Sequence, residues 1–281
     1  MKTYIVGDFQ NQNNFSIAIR KFLKNYASKI GDELVSNAYE ADYILTYADF
    51  KNIALLSQIG GKKKVKVLVA IDDNDVIMKD KQLLLNSTFN QFYTNVDEIL
   101  VLSEFEKNVL ISNNITTKIT VIDAIDKEAE GDIKFKNAFK NNYQLLEKDA
   151  IISFSKFTDN NEFLLFEKLV RNLPDKMFFY FDSNDREIIN KSLQERLVLS
   201  KNVKYYKYFP CELYSSMLYN VKALLITSKM ASYPTVILDF INRGIPLITS
   251  STINMKDIIN ENTSHICYNY EDFFFSLKKL S

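Results

Sequence analysis

The chain has 281 residues, enough for one large core or for two cores of about 130 residues each. Lysine plus arginine and aspartate plus glutamate number 35 each, so no net field exists to attract nucleic acid or an anionic membrane. The single histidine, His265, argues against a His-dependent triad or a multi-histidine metal site. Cys211 and Cys267 do not make a disulfide framework, and neither a secretory leader nor a long apolar run is recognisable, so we expect a cytoplasmic protein.

Short β-branched runs alternate with amphipathic stretches in the first half of the chain. Ser103 with Glu106 three residues later is a capping box, which predicts that a helix begins there. The patterns predict strands at 3–6, 43–46, 65–71, 98–102 and 118–122, and helices over 13–29, over 80–95 and from 103 onward.

Residues 127–149 lose the hydrophobic period and are dense in lysine and asparagine, which predicts a linker between a domain at 1–126 and a domain at 150–281. Strand and helix patterns alternate again beyond the linker, and all the prolines lie there. This alternation predicts an α/β protein with two Rossmann-like domains, whose parallel sheets face a cleft. The predicted strands of the second domain lie at 150–154, 177–181, 203–207, 223–227, 246–248 and 264–267.

The most informative segment, residues 224–250, reads LLITSKMASYPTVILDFINRGIPLITS. Its pattern predicts a strand that ends at Ser228, a loop, and a helix from about Thr235 that stops before Gly244, a residue suited to the left-handed helix end. A helix start directly after a strand and a loop presents unsatisfied N–H groups and a positive dipole end. Such a helix start is suited to binding a phosphate group.

Within this segment, SYPTVILDFINRGIPLIT resembles the donor-site signature of family 4 and related retaining GT-B glycosyltransferases. That family brackets the helix start with two glutamates, and the resemblance implies that Asp239, at the second position, holds the ribose hydroxyls. Ala231 stands at the first position, where the family directs an acid at the sugar. The resemblance also implies that the donor diphosphate contacts the residues of the loop and the helix start, namely Ser232, Tyr233, Pro234, Thr235 and Val236.

Two further segments resemble the same family. ISFSKFTDNNEFLLFEKLV is similar to its first C-domain strand, basic loop and helix, in which two cations neutralise the leaving diphosphate. Lys156 matches the first cation and Asn161 the second, and Lys229 is a candidate replacement for the missing charge. NVKYYKYFPCELYSSMLYNVKALLITS is similar to the part of the family that borders the nucleobase, which implies that role for Tyr208 and Phe209.

The N-terminal half resembles the acceptor-side domain of the family through NVDEILVLSEFEKNVLISNNITTKITVIDAID. Gly7 and Asp8 follow the first predicted strand, where the family has an acceptor loop, although a plain turn is the alternative. Asp72 and Asp73 occupy the region where relatives carry a His-Asp pair facing the acceptor. Asp73 with Asp75 also has the spacing of a divalent-metal motif, but the resemblance favours a metal-independent transferase, so we expect no metal.

The resemblance implies a retaining transferase that moves a hexose to a hydroxyl on a glycan, lipid or protein. The donor is a nucleotide-diphosphate sugar, which serves as co-substrate, and no further cofactor is expected. The alternative is a catalytically inactive GT-B-like binding or partner subunit, which Ala231 and Asn161 favour. In the tail, Phe273, Phe274, Leu277 and Leu280 have roughly helical spacing, which predicts a helix packed on the body; docking to a membrane surface is the alternative. His265 is predicted to be a core or rim residue.

Overall fold

A computed structural model gives the fold of the chain as two compact units, Met1–Ile125 and Asp126–Ser281. Each unit contains one parallel sheet with helices around it. The structure describes residues 1–7, 14–59, 64–69, 76–79, 82–122, 137–143, 150–154, 160–181, 191–206, 213–228, 234–251 and 255–280.

The described strands of the first unit are short and rich in β-branched residues, and four of the eight are followed directly by an α-helix. The strands are β1 (Lys2–Val6), β2 (Glu33–Leu34), β3 (Tyr43–Tyr47), β4 (Lys64–Val69), β5 (Val76–Lys79), β6 (Gln82–Leu85), β7 (Glu98–Val101) and β8 (Lys118–Val121). The helices are α1 (Asn14–Lys29), α2 (Phe50–Ile59), α3 (Ser87–Thr94) and α4 (Glu104–Ser112), with a 3₁₀ turn at Ala38–Glu40. Six strands pair in parallel in the order β2-β1-β3-β4-β7-β8.

The predicted helix over 80–95 is wrong in its first part. Gln82–Leu85 is strand β6, which pairs antiparallel with β5 in a separate hairpin. The pairing with β5 satisfies backbone groups of this apolar run, and the side chain of Asn86 then accepts a hydrogen bond from the Thr88 N–H. This cap starts α3 at Ser87, because an Asn side chain replaces the missing carbonyl partner at a helix start.

The capping box predicted at the start of α4 is confirmed. The Ser103 hydroxyl accepts from the Glu106 N–H at 3.2 Å, and Glu106 Oε2 accepts from the Leu102 N–H at 2.9 Å. Both side chains are fully buried, so these bonds satisfy donors that water does not reach.

The second unit repeats the alternation of strand and helix with more strongly apolar strands. Its strands are β9 (Ala150–Ser153), β10 (Met177–Phe181), β11 (Val203–Tyr206), β12 (Ala223–Ile226), β13 (Leu247–Ser250) and β14 (His265–Cys267). Its helices are α5 (Ala138–Asn142), α6 (Asn160–Asn172), α7 (Lys191–Val198), α8 (Tyr214–Asn220), α9 (Pro234–Asn242) and α10 (Tyr270–Lys278). The strands pair in parallel in the order β11-β10-β9-β12-β13-β14, so the predicted α/β class with a parallel sheet in each half of the chain is confirmed.

One face of the second sheet is covered by α6, α7 and α10, whose buried side chains form a single core with the sheet. Phe273 and Leu277 of α10 are 2% and 0% exposed in this core, which confirms the predicted packing of the last helix. Lys176, itself buried, donates to the carbonyl of Leu280 at 2.7 Å and holds the end of that helix. Among the described helices, none combines the length and the hydrophobicity that a bilayer-spanning segment needs.

The segment predicted as a linker contains helix α5, which belongs to the second unit. Phe139 is fully buried and makes aromatic contacts with Tyr143 and Phe179 at 4.8 and 5.4 Å between ring centroids. The Phe139 N–H donates to the hydroxyl of Ser216 in α8 at 2.7 Å. A five-residue helix has no hydrophobic period of its own to reveal it, because one aromatic side chain supplies nearly all its burial.

Candidate functional site

The second sheet reverses its strand order between β9 and β12. The chain runs outward from β9 through β10 to β11, returns to pair β12 with β9, and then runs outward on the other side. In an open parallel sheet, the loops at the carboxyl ends of two such strands diverge, so a crevice opens between them. The residues that end β9 and β12 are therefore the natural place to look for a site.

Small hydroxyl side chains occupy this edge of the sheet. Ser153 ends β9 and is 1% exposed, and Thr227 and Ser228 directly follow β12 at 3% and 0% exposure. The hydroxyl of Ser250, at the end of β13, donates to the Ser228 carbonyl at 2.5 Å and fixes the backbone where it leaves the sheet.

Thr227 is the residue that sequence reasoning missed. Its Oγ1 is buried and has no hydrogen-bond partner among the described residues. A buried hydroxyl without a partner costs about 1 to 3 kcal/mol, so native proteins rarely keep one. The only sequence signal was a hydroxyl residue at the end of an otherwise apolar strand, LLIT.

Helix α9 begins at the same edge of the sheet, since it follows β12. Pro234 is its first residue, a position at which a missing N–H is harmless. The backbone N–H groups of Thr235 and Val236 lie in the first turn, where no preceding helical carbonyl is available. The Val236 side chain is 2% exposed and anchors this turn to the core, so these N–H groups stand at a fixed, electropositive helix start.

The far end of α9 is as the sequence predicted. Gly244 has φ +67°, and the N–H groups of Gly244 and Ile245 bond to the carbonyls of Ile241 and Phe240, as in a glycine-terminated helix. Asp239 lies in the middle of α9 and is partly exposed.

Helix α6, the other helix that borders the switch point, begins near the end of β9. Asn161 lies in its first turn and is exposed, whereas Glu162 beside it is 4% exposed. The structure thus brings Asn161, the α9 start and the missed Thr227 to one edge of one sheet. The proximity of these elements follows from the strand order, which no local pattern reveals.

An aromatic row lines the same edge on the side of β10 and β11. Phe154 stacks on Phe181 at 5.3 Å, and Phe181 stacks on Tyr206 at 5.5 Å between ring centroids. Burial raises the pKa of Tyr206, so its hydroxyl is protonated at neutral pH. These rings make an apolar wall with one phenolic hydroxyl at the ends of β10 and β11.

The first sheet has its own switch point, between β1 and β3. Gly7, a predicted acceptor-side residue, directly follows β1. The Thr46 hydroxyl, from β3, donates to the Val6 carbonyl of β1 at 2.9 Å, so this buried hydroxyl is satisfied by the protein.

Several predicted site residues lie outside the described residues, and their roles stay predictions. Within the described part of the chain, no group of three or more potential metal ligands comes together. His265 is exposed on the edge strand β14, which places it at the rim. The predicted residues outside the described part are Asp8, Asp72, Asp73, Lys156, Tyr208, Phe209, Ser232 and Tyr233.

No protein-family profile matches the sequence, and no curated protein matches it significantly. Solved structures do match its fold. Sucrose-phosphate synthase from Thermosynechococcus elongatus aligns with a TM-score of 0.65 at 11% identity, over 99% of this chain and 88% of that one. The chain has the GT-B fold.

Two further solved structures that match the fold were determined with a nucleotide sugar bound. HepE from Anabaena, solved in complex with UDP-glucose, aligns with a TM-score of 0.63 at 10% identity, over 99% of this chain and 89% of that one. UDP-GlcNAc 2-epimerase from Neisseria meningitidis, bound to UDP-GlcNAc, aligns with a TM-score of 0.56 at 11% identity, over 99% and 91%. At these identities the likeness shows the fold, while the function has to be argued from the site.

Proposed function

We propose that this chain is a glycosyltransferase that moves a hexose from a nucleotide-diphosphate sugar to a hydroxyl acceptor with retention of configuration. The observation that carries the proposal is the carboxyl edge of the second sheet, where a buried hydroxyl with no partner among the described residues and the start of α9 both lie at the switch point. The GT-B fold supports it, because solved proteins of this fold bind UDP-glucose and UDP-GlcNAc.

The proposed donor site combines backbone dipoles with a few side chains. The first-turn N–H groups of α9 hold the diphosphate, together with Ser232, Tyr233 and the Lys156 ammonium group. Asp239 accepts hydrogen bonds from the ribose hydroxyls, and Tyr208 and Phe209 border the base beside the aromatic row of Phe154, Phe181 and Tyr206.

The proposed reaction needs no metal. The bond between the anomeric carbon and the diphosphate oxygen breaks, and the acceptor oxygen bonds to that carbon on the same face. The acceptor proton passes to the departing diphosphate oxygen. Lys156 and the α9 dipole stabilise the charge that develops on the diphosphate, which is usually the largest catalytic contribution of such a site. Gly7, Asp8, Asp72 and Asp73 orient the acceptor, which is a glycan, a lipid or a protein.

A nucleotide-sugar panel tests this proposal. The full chain is titrated calorimetrically with UDP, GDP and ADP and with their glucose, mannose and N-acetylglucosamine conjugates. Nucleotide release is then followed with and without EDTA, and proton NMR reads the anomeric configuration and any epimerised sugar. We expect nucleotides of one base to bind and EDTA to leave nucleotide release unchanged. The product should retain the anomeric configuration of the donor sugar.

The other outcomes identify different functions. Binding without turnover, with every acceptor tried, would favour the inactive binding subunit, and Ala231 and Asn161 would explain it. Epimerised nucleotide sugar would place the activity with the epimerases of the same fold. Absence of binding by any nucleotide would contradict the donor site itself.

Lys156→Met should lower turnover about 100-fold, whereas Lys201→Met, in the exposed turn before β11, should leave it unchanged.

A further inference from the structure

Four buried threonines stand in the strands of the two sheets or directly after one, and among them only Thr227 has a hydroxyl without a partner in the described residues. The Thr3 hydroxyl donates to the Asp32 carboxylate at 2.8 Å. The hydroxyls of Thr46 and Thr249 each donate to a backbone carbonyl at 2.9 Å, those of Val6 and Ser250. The hydroxyl of Thr227 is equally buried and has no partner within the described residues. The other buried threonine hydroxyls all bond to the protein, so the missing partner of Thr227 requires an explanation.

The position of Thr227 places its hydroxyl at the crevice. It follows Ile226, the last residue of β12, and alternation puts its side chain on the same face as Leu225. Leu225 belongs to the core formed with α6. The right-handed connection from β12 to β13 carries α9 to the opposite face. Thr227 thus lies on the α6 side of the gap at whose other side α9 begins.

The polar groups at this gap are hydrogen-bond donors, so a ligand that binds there must supply acceptor atoms. The N–H groups of Thr235 and Val236 and the hydroxyl of Thr227 are all donors. A ligand with several charged oxygens on neighbouring atoms satisfies such a set, and the positive end of the helix dipole selects for negative charge.

We propose that the Thr227 hydroxyl donates a hydrogen bond to the diphosphate of the ligand and is left without a protein partner for that purpose. This inference rests on the proposed function and adds a binding residue that the donor-site resemblance did not include. Valine has the same shape without the hydroxyl. Compared with a valine at this position, Thr227 lowers the stability of the ligand-free protein and strengthens ligand binding.

The test exploits the opposite signs of these two effects. For Thr227→Val, we expect the melting temperature of the full chain to rise by roughly 2 to 4 °C, since an unsatisfied hydroxyl is removed. We expect its affinity for the best-binding nucleoside diphosphate of UDP, GDP and ADP to fall about ten-fold, because a hydrogen bond to a charged group is lost. Affinity for the matching nucleoside without phosphate should not change. Thr227→Ser should keep the affinity for the diphosphate.

Thr249→Val is the matched control on the neighbouring strand, because it removes a hydroxyl that has a protein partner. It should lower the melting temperature and leave nucleotide affinity unchanged. A lower melting temperature for Thr227→Val would reveal a protein partner and overturn the inference. Unchanged diphosphate affinity in that variant, while the wild type binds, would overturn the inference and leave the proposed function standing. A wild type that binds none of the three nucleotides would overturn both.

Discussion

At the switch point of the first sheet, the Thr46 hydroxyl from β3 donates to the last carbonyl of β1, whereas at the switch point of the second sheet the Thr227 hydroxyl has no partner among the described residues. The two sheets otherwise have related designs, each with six parallel strands and one reversal of strand order. The hydroxyl at the first switch point ties two strands together where they begin to diverge. The Thr227 hydroxyl at the second switch point has no described protein partner, and we infer that a ligand bonds to it.

This difference separates a structural polar group from a functional one. A buried group that the protein satisfies contributes to stability, and its removal costs free energy. A buried group that the protein leaves unsatisfied lowers stability unless a ligand or an ordered water bonds to it. Both groups are threonines in strand-end segments, so residue type alone does not distinguish them.

The two sheets also differ in the side chains that stand side by side on neighbouring strands. In the second sheet, Phe178, Ile151 and Ala223 stand side by side and are fully buried. In the first sheet, Lys66, Glu98 and Lys118 stand side by side, and both lysines pair with the glutamate at 3.4 and 2.7 Å. Ion pairs therefore hold this row of the first sheet, whereas apolar contacts hold the row of the second.

The largest expected effect on stability tests whether helix α5 is part of the core of the second unit. Phe139→Ala removes a fully buried ring from α5 and should lower the free energy of unfolding of the second unit by about 3 to 5 kcal/mol, measured by urea denaturation of the full chain. Lys140→Ala, on the exposed side of the same helix, is the control and should change little. A loss below about 1 kcal/mol for Phe139→Ala would show that α5 is not part of this core.

The next effect tests whether the second edge binds a nucleotide. Asp239→Ala should weaken binding of the preferred nucleotide by about 1 to 3 kcal/mol, because hydrogen bonds between the carboxylate and the ribose are lost. Asn242→Ala, one turn further along α9, is the matched control for calorimetry. Equal affinities in wild type and Asp239→Ala would remove this carboxylate from the site.

A smaller effect tests the first switch point. Thr46→Val should lower the free energy of unfolding of the first unit by about 1 to 2 kcal/mol, since the Val6 carbonyl loses its side-chain donor in a buried place. Chemical denaturation measures this change directly. If Thr46→Val and Thr227→Val shift stability in the same direction, the proposed contrast between the two threonines fails.

The smallest effect concerns the charged row of the first sheet. Burial disfavours ionised Glu98, but hydrogen bonds from Lys118 and Thr120 and the charge of Lys66 outweigh it and hold its pKa below the ordinary value of 4.5. Its stabilising contribution is therefore present above that value and is lost as the pH falls through the lower folded-state pKa. Glu98→Gln should lower the free energy of unfolding by less than about 1 kcal/mol at pH 7, because Lys118 is mostly exposed and water screens its attraction to the carboxylate.

Denaturation of Glu98→Gln and wild type at several pH values checks this prediction. The difference between them should shrink as the pH falls below 4.5. Glu104→Gln, which removes an exposed pair with Lys107, serves as the control and should show no such trend. A difference that grows on acidification would contradict the assignment.

The element pattern of the chain was readable from sequence wherever the signal is local. The capping box at Ser103 and Glu106 and the left-handed Gly244 both come from contacts within a few residues, and both are confirmed. The start of α9 was predictable for the same reason, because Pro234 suits the first helical position.

The missed features depend on partners distant in the chain. Strand β6 forms because β5 pairs with it, and α5 forms because Phe139 meets Phe179, forty residues later. Neither pairing has a signature in the local hydrophobic period. Most predicted side chains of the donor site lie outside the described residues, so their roles await the nucleotide panel.

The sequence by itself determined the α/β class, most of the strands and helices, and the helix start that suits an anion, since all of these depend on local periodicity and capping. Only the tertiary structure decided that β12 pairs with β9, and hence that the switch point lies there. That non-local pairing buries Thr227 at the strand ends, where its hydroxyl has no described partner, while a similar threonine in the first sheet bonds to a neighbouring strand.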